Sequence, residues 1–142
     1  MVKWLDKKSQ GRIVEAIRKA ESGTSGEIRV HMKRGATKDA LAEARHLFLK
    51  MGMHRTRRRN GVLLFVSKKS RSFAIVGDEG IHRAVGAAFW QGARDRMQAY
   101  FSKGEFLDGI VAGVQSAGEK LKGHFPSADG GRNELSDRPT EG

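Results

Sequence analysis

The chain has no cysteine, which excludes disulfides, thiolate metal sites and cysteine nucleophiles together. Long apolar runs are also missing. The longest, Val62 to Val66, is strand-sized and far short of the ~20 residues of a membrane-spanning helix. Met1 to Lys8 carries Trp4 and Leu5 among charges, without the apolar stretch of a secretory signal. From these absences we expect a cytoplasmic protein without a membrane span. Several catalytic signatures are absent too. There is no Walker loop and no GxGxxG, and the histidines His31, His46, His54, His82 and His124 form neither HxxxH nor HExxH. Gly23-Thr24-Ser25-Gly26 fails as a nucleophile turn because Glu27 stands where GxSxG needs glycine. Asp78 and His82 have the spacing of one helical face, which by itself is a weak zinc signal more often explained by capping or surface pairing.

At 142 residues the length suits one domain. The hydrophobic fraction of 38% is low, but the apolar residues gather into periodic segments, and a clustered minority still closes a modest core. Lys and Arg number 27 against 16 Asp and Glu, a formal charge of +11 that attracts anions over a Debye length. Nucleic acid, phosphorylated metabolites and acidic lipid are the partner classes this charge admits, alongside a generally basic surface with no dedicated ligand.

Ile13, Val14, Ile17 and Ala20 predict an amphipathic helix from about Asp6 to Glu21, ended by Ser22 to Gly26. Glu27 to Met32 alternates as a strand with one apolar face: Ile28, Val30 and Met32 on one side, Glu27, Arg29 and His31 on the other. Leu41, Ala44, Leu47, Phe48 and Met51 trace a second helix, with Thr37 as a candidate N-cap and Gly52 as its end. A basic loop, Arg55-Thr56-Arg57-Arg58-Arg59, then leads through Asn60-Gly61 into Val62 to Val66, the pattern of a strand buried on both faces. The short polar Ser67 to Arg71 joins it to Phe73 to Val76, so these two strands should form an antiparallel hairpin. A long third helix is expected from Ile81 to Phe101 and a fourth from Phe106 to Leu121, separated by Gly104. We expect a domain over residues 1–125 and a disordered tail over 126–142, where apolar residues almost vanish. Trp4 and Trp90 read as packing residues, with Phe89-Trp90 a candidate anchor for a partner.

This order of elements gives an α/β fold with a small mixed sheet, a parallel strand pair plus the hairpin, between helices. Parallel pairing sets Asn60 beside Ser25 to Glu27, and the hairpin brings Gly77 and Asp78 back to the same edge. Asn60, Asp78, Glu79 and, less directly, Glu27 offer the oxygen donors that calcium or magnesium takes. The competing reading is that Asp78 and Glu79 cap the third helix, worth ~0.3 to 1 kcal/mol near its N-terminus. Arg55, Arg57, Arg58 and Arg59 are candidates for binding phosphate or another anion through their planar guanidinium forks, or else form a solvated loop. No exposed aromatics interleave with them, which disfavours nucleic acid.

Thr24-Ser25-Gly26-Glu27-Ile28-Arg29-Val30, Arg59-Asn60-Gly61-Val62-Leu63-Leu64-Phe65-Val66 and Ile75-Val76-Gly77-Asp78-Glu79-Gly80-Ile81 together resemble the TPM domain family. Phe101, Gly104, Phe106, Gly109, Ile110 and Gly113 fit its closing helices, and Asn133-Glu134-Leu135-Ser136-Asp137 is similar to the ending of its small soluble bacterial members. The resemblance implies a three-layer α/β/α sandwich. It also implies a range of roles: plant members are linked to acid phosphatase activity and photosystem repair, others bind divalent cations, and membrane-bound members carry an export signal or anchor. Two departures bear on this. Arg59 stands where many members have Asp, and Val76-Gly77-Asp78-Glu79-Gly80 replaces a common Gly-Tyr-Gly-Leu-Glu.

The reading that results is a ligand- or divalent-cation-binding accessory module, with calcium or magnesium as the cofactor it would take. A metal-assisted phosphatase is the first alternative, Asp78, Glu79 and Asn60 holding the cation and Arg57 or Arg59 the phosphate, but no nucleophile or base is identifiable. The second is a basic adaptor for nucleic acid or an acidic protein partner.

Overall fold

The computed structural model describes residues 6–126 and 139–141. Helix α1 (Lys7–Glu21) starts at Asp6, whose carboxylate accepts the Ser9 N–H at 2.7 Å. That bond favours the charged form and holds the Asp6 carboxyl below its ordinary range. The helix buries Ile13, Ala16 and Ile17. Strand β1 (Glu27–Lys33) follows, then α2 (Ala40–Lys50) and a single 3-10 turn at Met53–Arg55. Asp39, not Thr37, caps α2 by accepting from the Ala42 N–H, and the Thr37 hydroxyl instead donates to Glu43 at 2.6 Å. Strands β2 (Gly61–Ser67) and β3 (Ser72–Gly77) form the expected hairpin.

The long helix expected from Ile81 to Phe101 is broken. Helix α3 (Glu79–Val85) stops at Gly86, whose φ of 79° lies in the region that side chains disfavour. A 3-10 turn at Ala87–Trp90 then redirects the chain into α4 (Gln91–Phe101). Phe89 and Trp90 pack edge to face across that turn, centroids 4.7 Å apart. Helix α5 (Phe106–His124) closes the main body.

The sheet runs β3-β2-β1-β4. β1 and β2 are parallel, from Glu27 opposite Gly61 to Lys33 opposite Ser67, and β2 and β3 antiparallel. The fourth strand, β4 (Thr140–Glu141), pairs parallel with β1 at His31 and Met32. This strand falls within the segment expected to be a disordered tail, where Thr140 and Glu141 pair with the free edge of β1; residues 127–138 and 142 of that tail lie outside the described residues.

Helices α1, α4 and α5 cover one face of the sheet, over Ile28, Val30, Met32, Val62, Leu64 and Val66. Helix α2 covers the other, setting Ala44 on Phe65 and Ala74, and Phe48 on Leu63. The result is a three-layer α/β/α sandwich in which every residue of β2 is buried, as a continuous apolar run requires. The polar face of β1 is largely buried. Glu27 and Arg29 are each 3% exposed. Arg29 Nη1 lies 2.9 Å from Glu21 Oε2 and Nη2 lies 3.4 Å from Glu27 Oε1, so the buried charges satisfy one another.

Candidate functional site

The site is the sheet edge where β1 and β2 begin and β3 ends. Parallel pairing puts Glu27 opposite Gly61, and the Asp78 N–H donates to the Gly61 carbonyl at 2.9 Å. The three loops expected to converge there do so. The buried Asn60 donates its side-chain N–H to Ser25 Oγ at 3.1 Å, tying the entrance of β2 to that of β1.

Asp78 does two things at this edge. It caps α3, its Oδ1 accepting the Glu79 N–H at 2.7 Å. It also takes a two-pronged contact from Arg59, Nε to Oδ2 at 2.9 Å and Nη2 to Oδ1 at 3.0 Å. Arg59 reaches Glu79 as well, Nη1 to Oε2 at 3.5 Å. The hydrogen bonds it donates to Asp78, with the charges of Asp78 and Glu79, hold the Arg59 guanidinium above its ordinary value.

The backbone enforces this pairing. Arg59 sits at φ 52°, a left-handed conformation that costs a non-glycine residue of order 1 kcal/mol and persists only where surroundings impose it. Here the Gly80 N–H donates to the Arg59 carbonyl at 2.9 Å. A Cβ at Gly80 would stand 2.6 Å from the carbonyl oxygens of Arg58 and Arg59, so only glycine lets the basic loop lie on the first turn of α3.

The remaining predicted residues divide. Arg55, Arg57 and Arg58 are exposed on the loop. Glu27 is engaged by Arg29. Glu79 is largely exposed, and among the described residues no three of His, Asp and Glu gather closely enough to share an ion. His82 donates its backbone N–H to the Asp78 carbonyl, but the Asp78 side chain turns to Arg59. Trp90 is buried in the core, and Trp4 lies outside the described residues. Sequence reasoning missed the Arg59 fork. Its signal was a cation directly before Asn60 and a carboxylate at the helix start on the same edge.

The model of the TPM domain matches residues 2–120. The BA42 protein of the psychrophilic bacterium Bizionia argentinensis has the same fold at a TM-score of 0.92 and 36% identity, over 100% of this chain and 98% of that one. The chain therefore belongs to the TPM domain family. Two N-terminal domains share the fold at lower identity. That of a P. gingivalis protein gives a TM-score of 0.69 at 19% identity, over 85% of this chain and 78% of its own. That of the cg2496 protein of Corynebacterium glutamicum gives 0.67 at 13%, over 98% and 82%. No curated protein matches the sequence. No helix among the described residues is long and apolar enough to cross a membrane.

Proposed function

We propose that this chain is a TPM-domain binding module whose strand-edge loops take an anionic ligand, phosphate- or carboxylate-bearing, in an accessory rather than catalytic role. The observation that carries this reading is the Arg59 fork on Asp78. A guanidinium on both carboxylate oxygens occupies the place a divalent cation would need, and its own positive charge repels one. The residues as arranged do not fit calcium or magnesium. The metal-assisted phosphatase reading needs Asp78 for the cation and Arg57 or Arg59 for the phosphate, and Arg59 cannot leave Asp78 for phosphate without stranding a carboxylate that is 4% exposed. The exposed Arg55, Arg57 and Arg58 beside the pair supply the forks an anion recognises.

The test is a pair of titrations followed by amide NMR shifts. Inorganic phosphate should give saturable shifts at residues 55–59, and calcium or magnesium at millimolar concentration none at residues 25–27, 60 or 77–80. Saturable metal shifts there, or metal-dependent hydrolysis of p-nitrophenyl phosphate abolished by Asp78→Ala, would overturn the reading.

A further inference from the structure

Strand β3 forms one edge of the sheet, and among the described residues no strand pairs with its outer side. Because the Asp78 N–H bonds to the Gly61 carbonyl, the residues of β3 that bond to β2 are Ser72, Ala74 and Val76. Phe73, Ile75 and Gly77 therefore turn their N–H and C=O groups away from β2, toward the edge. Natural edge strands are commonly guarded by a charge, a proline or a bulge. Phe73-Ala74-Ile75-Val76-Gly77 has none of these.

The edge lies at the floor of a groove of about 450 Å³ that runs along all five of these residues. Leu41 and Arg45 of α2 form one wall, and His82, Trp90 and Arg94 the other. Leu41 is 41% exposed, one of the large apolar side chains left in solvent. A Cβ at Gly77 would stand 3.0 Å from Trp90 Nε1, so the glycine lets the indole close on the end of the edge. Both walls carry an arginine, and no carboxylate is among the described residues that line the groove.

The geometry points to this groove as a docking site for an extended acidic segment of a partner protein, which adds to β3 as a further strand. An alternating row of N–H and C=O groups complements another polypeptide backbone, and it has no counterpart in a nucleic acid. At ~3.3 Å per residue, five or six residues of a partner span the edge. Successive side chains of such a strand point to opposite walls, so acidic residues meet Arg45 on one side and Arg94 on the other, and apolar ones meet Leu41 and Trp90. The charge of +11 over the whole chain draws the same kind of partner from a distance. This surface is separate from the arginine loop and does not depend on the role assigned to it.

The probe is a capped heptapeptide in which Glu and Val come in pairs, Glu-Glu-Val-Val-Glu-Glu-Val, so that a two-residue side-chain period offers both an acidic and an apolar residue to each wall; it is titrated into the full-length isotope-labelled chain. Saturable binding should move the Phe73, Ile75 and Gly77 amide signals and slow their hydrogen exchange at least tenfold. A peptide with Lys for Glu, and one N-methylated at alternate residues so that it cannot donate to β3, should each bind at least tenfold more weakly; neither comparison depends on a variant folding. The double variant Arg45→Glu with Arg94→Glu should reverse the preference between the Glu and Lys peptides. Absence of protection at those three amides, or shifts confined to residues 55–59, overturns the proposal. So does protection of the same amides without peptide in a dimer seen by sedimentation, which would make a second copy the occupant, or their protection by a single-stranded oligonucleotide.

Discussion

Arg59 and Asp78 meet through two hydrogen bonds, 2.9 and 3.0 Å, between residues nineteen positions apart that the hairpin brings to one sheet edge. The side chain of Arg59 is 39% exposed and that of Asp78 4%, so the pair sets a half-wet cation on a buried anion. Replacing the cation by an anion should change what the edge accepts. On the proposed reading, Arg59→Asp places a second carboxylate beside Asp78 and should raise calcium affinity at this edge above that of the unmodified chain. Calorimetry reads the difference, and equal metal affinity in the two proteins contradicts the role given to Arg59.

Asp78→Ala removes the α3 cap along with the acceptor of Arg59. Loss of an N-cap carboxylate costs about 1–2 kcal/mol, so urea unfolding should show a lower midpoint with an unchanged slope. Asp78→Asn, which keeps a capping oxygen, should recover part of that loss.

The buried Arg29 is ion-paired with both Glu21 and Glu27 at the entrance of β1. Arg29→Ala takes this guanidinium from the buried Glu27, and breaking a buried pair from one side costs about 3–5 kcal/mol. The thermal midpoint should fall further for this change than for Asp78→Ala.

Burial holds the His31 imidazole below its ordinary pKa, Glu43 opposing this and Lys33 adding to it. The unfolded chain therefore binds a proton at about pH 6.5 that the folded chain takes up only at lower pH. Stability should fall as pH drops from 6.5 toward the folded value and level off below it. His31→Gln should flatten that slope in unfolding curves taken between pH 5 and 7. His31 Nδ1 lies 2.8 Å from Thr140 Oγ1, so hydrogen exchange at β4 reports on the same titration.

Two helical glycines should respond in opposite directions to alanine. At Gly118 a Cβ would meet Ala20 Cβ at 2.6 Å and Ala20 Cα at 2.9 Å, forcing α1 and α5 apart at a cost of about 1–3 kcal/mol. At Gly11 it would meet nothing within 4 Å, so Gly11→Ala should stabilise by about 0.5–1 kcal/mol through helix propensity. Melting both variants against the parent checks the contrast.

The mixed sheet and its convergent edge were legible in the sequence because hydrophobic period and loop length suffice to order three strands. Val62 to Val66 announces a doubly covered strand, and the short Ser67 to Arg71 leaves the chain no route but a hairpin. The break at Gly86 was not legible, since the apolar residues Ile81, Val85 and Phe89 keep helical spacing across it. Nor was β4: two residues, Thr140 and Glu141, carry no alternation, and they are strand only because β1 offers an edge. At the site, backbone topology could place Arg59 near Asp78 but not choose between an anion-binding cation and one already spent on a carboxylate. That choice depends on the left-handed turn at Arg59 and the bare Cα of Gly80, neither of which has a pattern to read. Alternation set Glu27 and Arg29 apart from the apolar face of β1 because it reports polarity, and it cannot see that Glu21 and Glu27 supply the counter-charge of a buried Arg29.

The corner that holds the candidate site is also where distant parts of the chain are sewn together. The Ser25 N–H bonds to the Phe125 carbonyl at 2.9 Å, and Thr24 bridges to Pro126. Asn60 closes onto Ser25, and Asp78 onto the adjoining Gly61. Contacts between such remote segments bear the largest loop-closure entropy, so this corner belongs among the last features to assemble as the chain folds. A fragment that ends before α5 lacks its final clasp. During synthesis this corner should therefore reach its folded geometry only after α5 has left the ribosome.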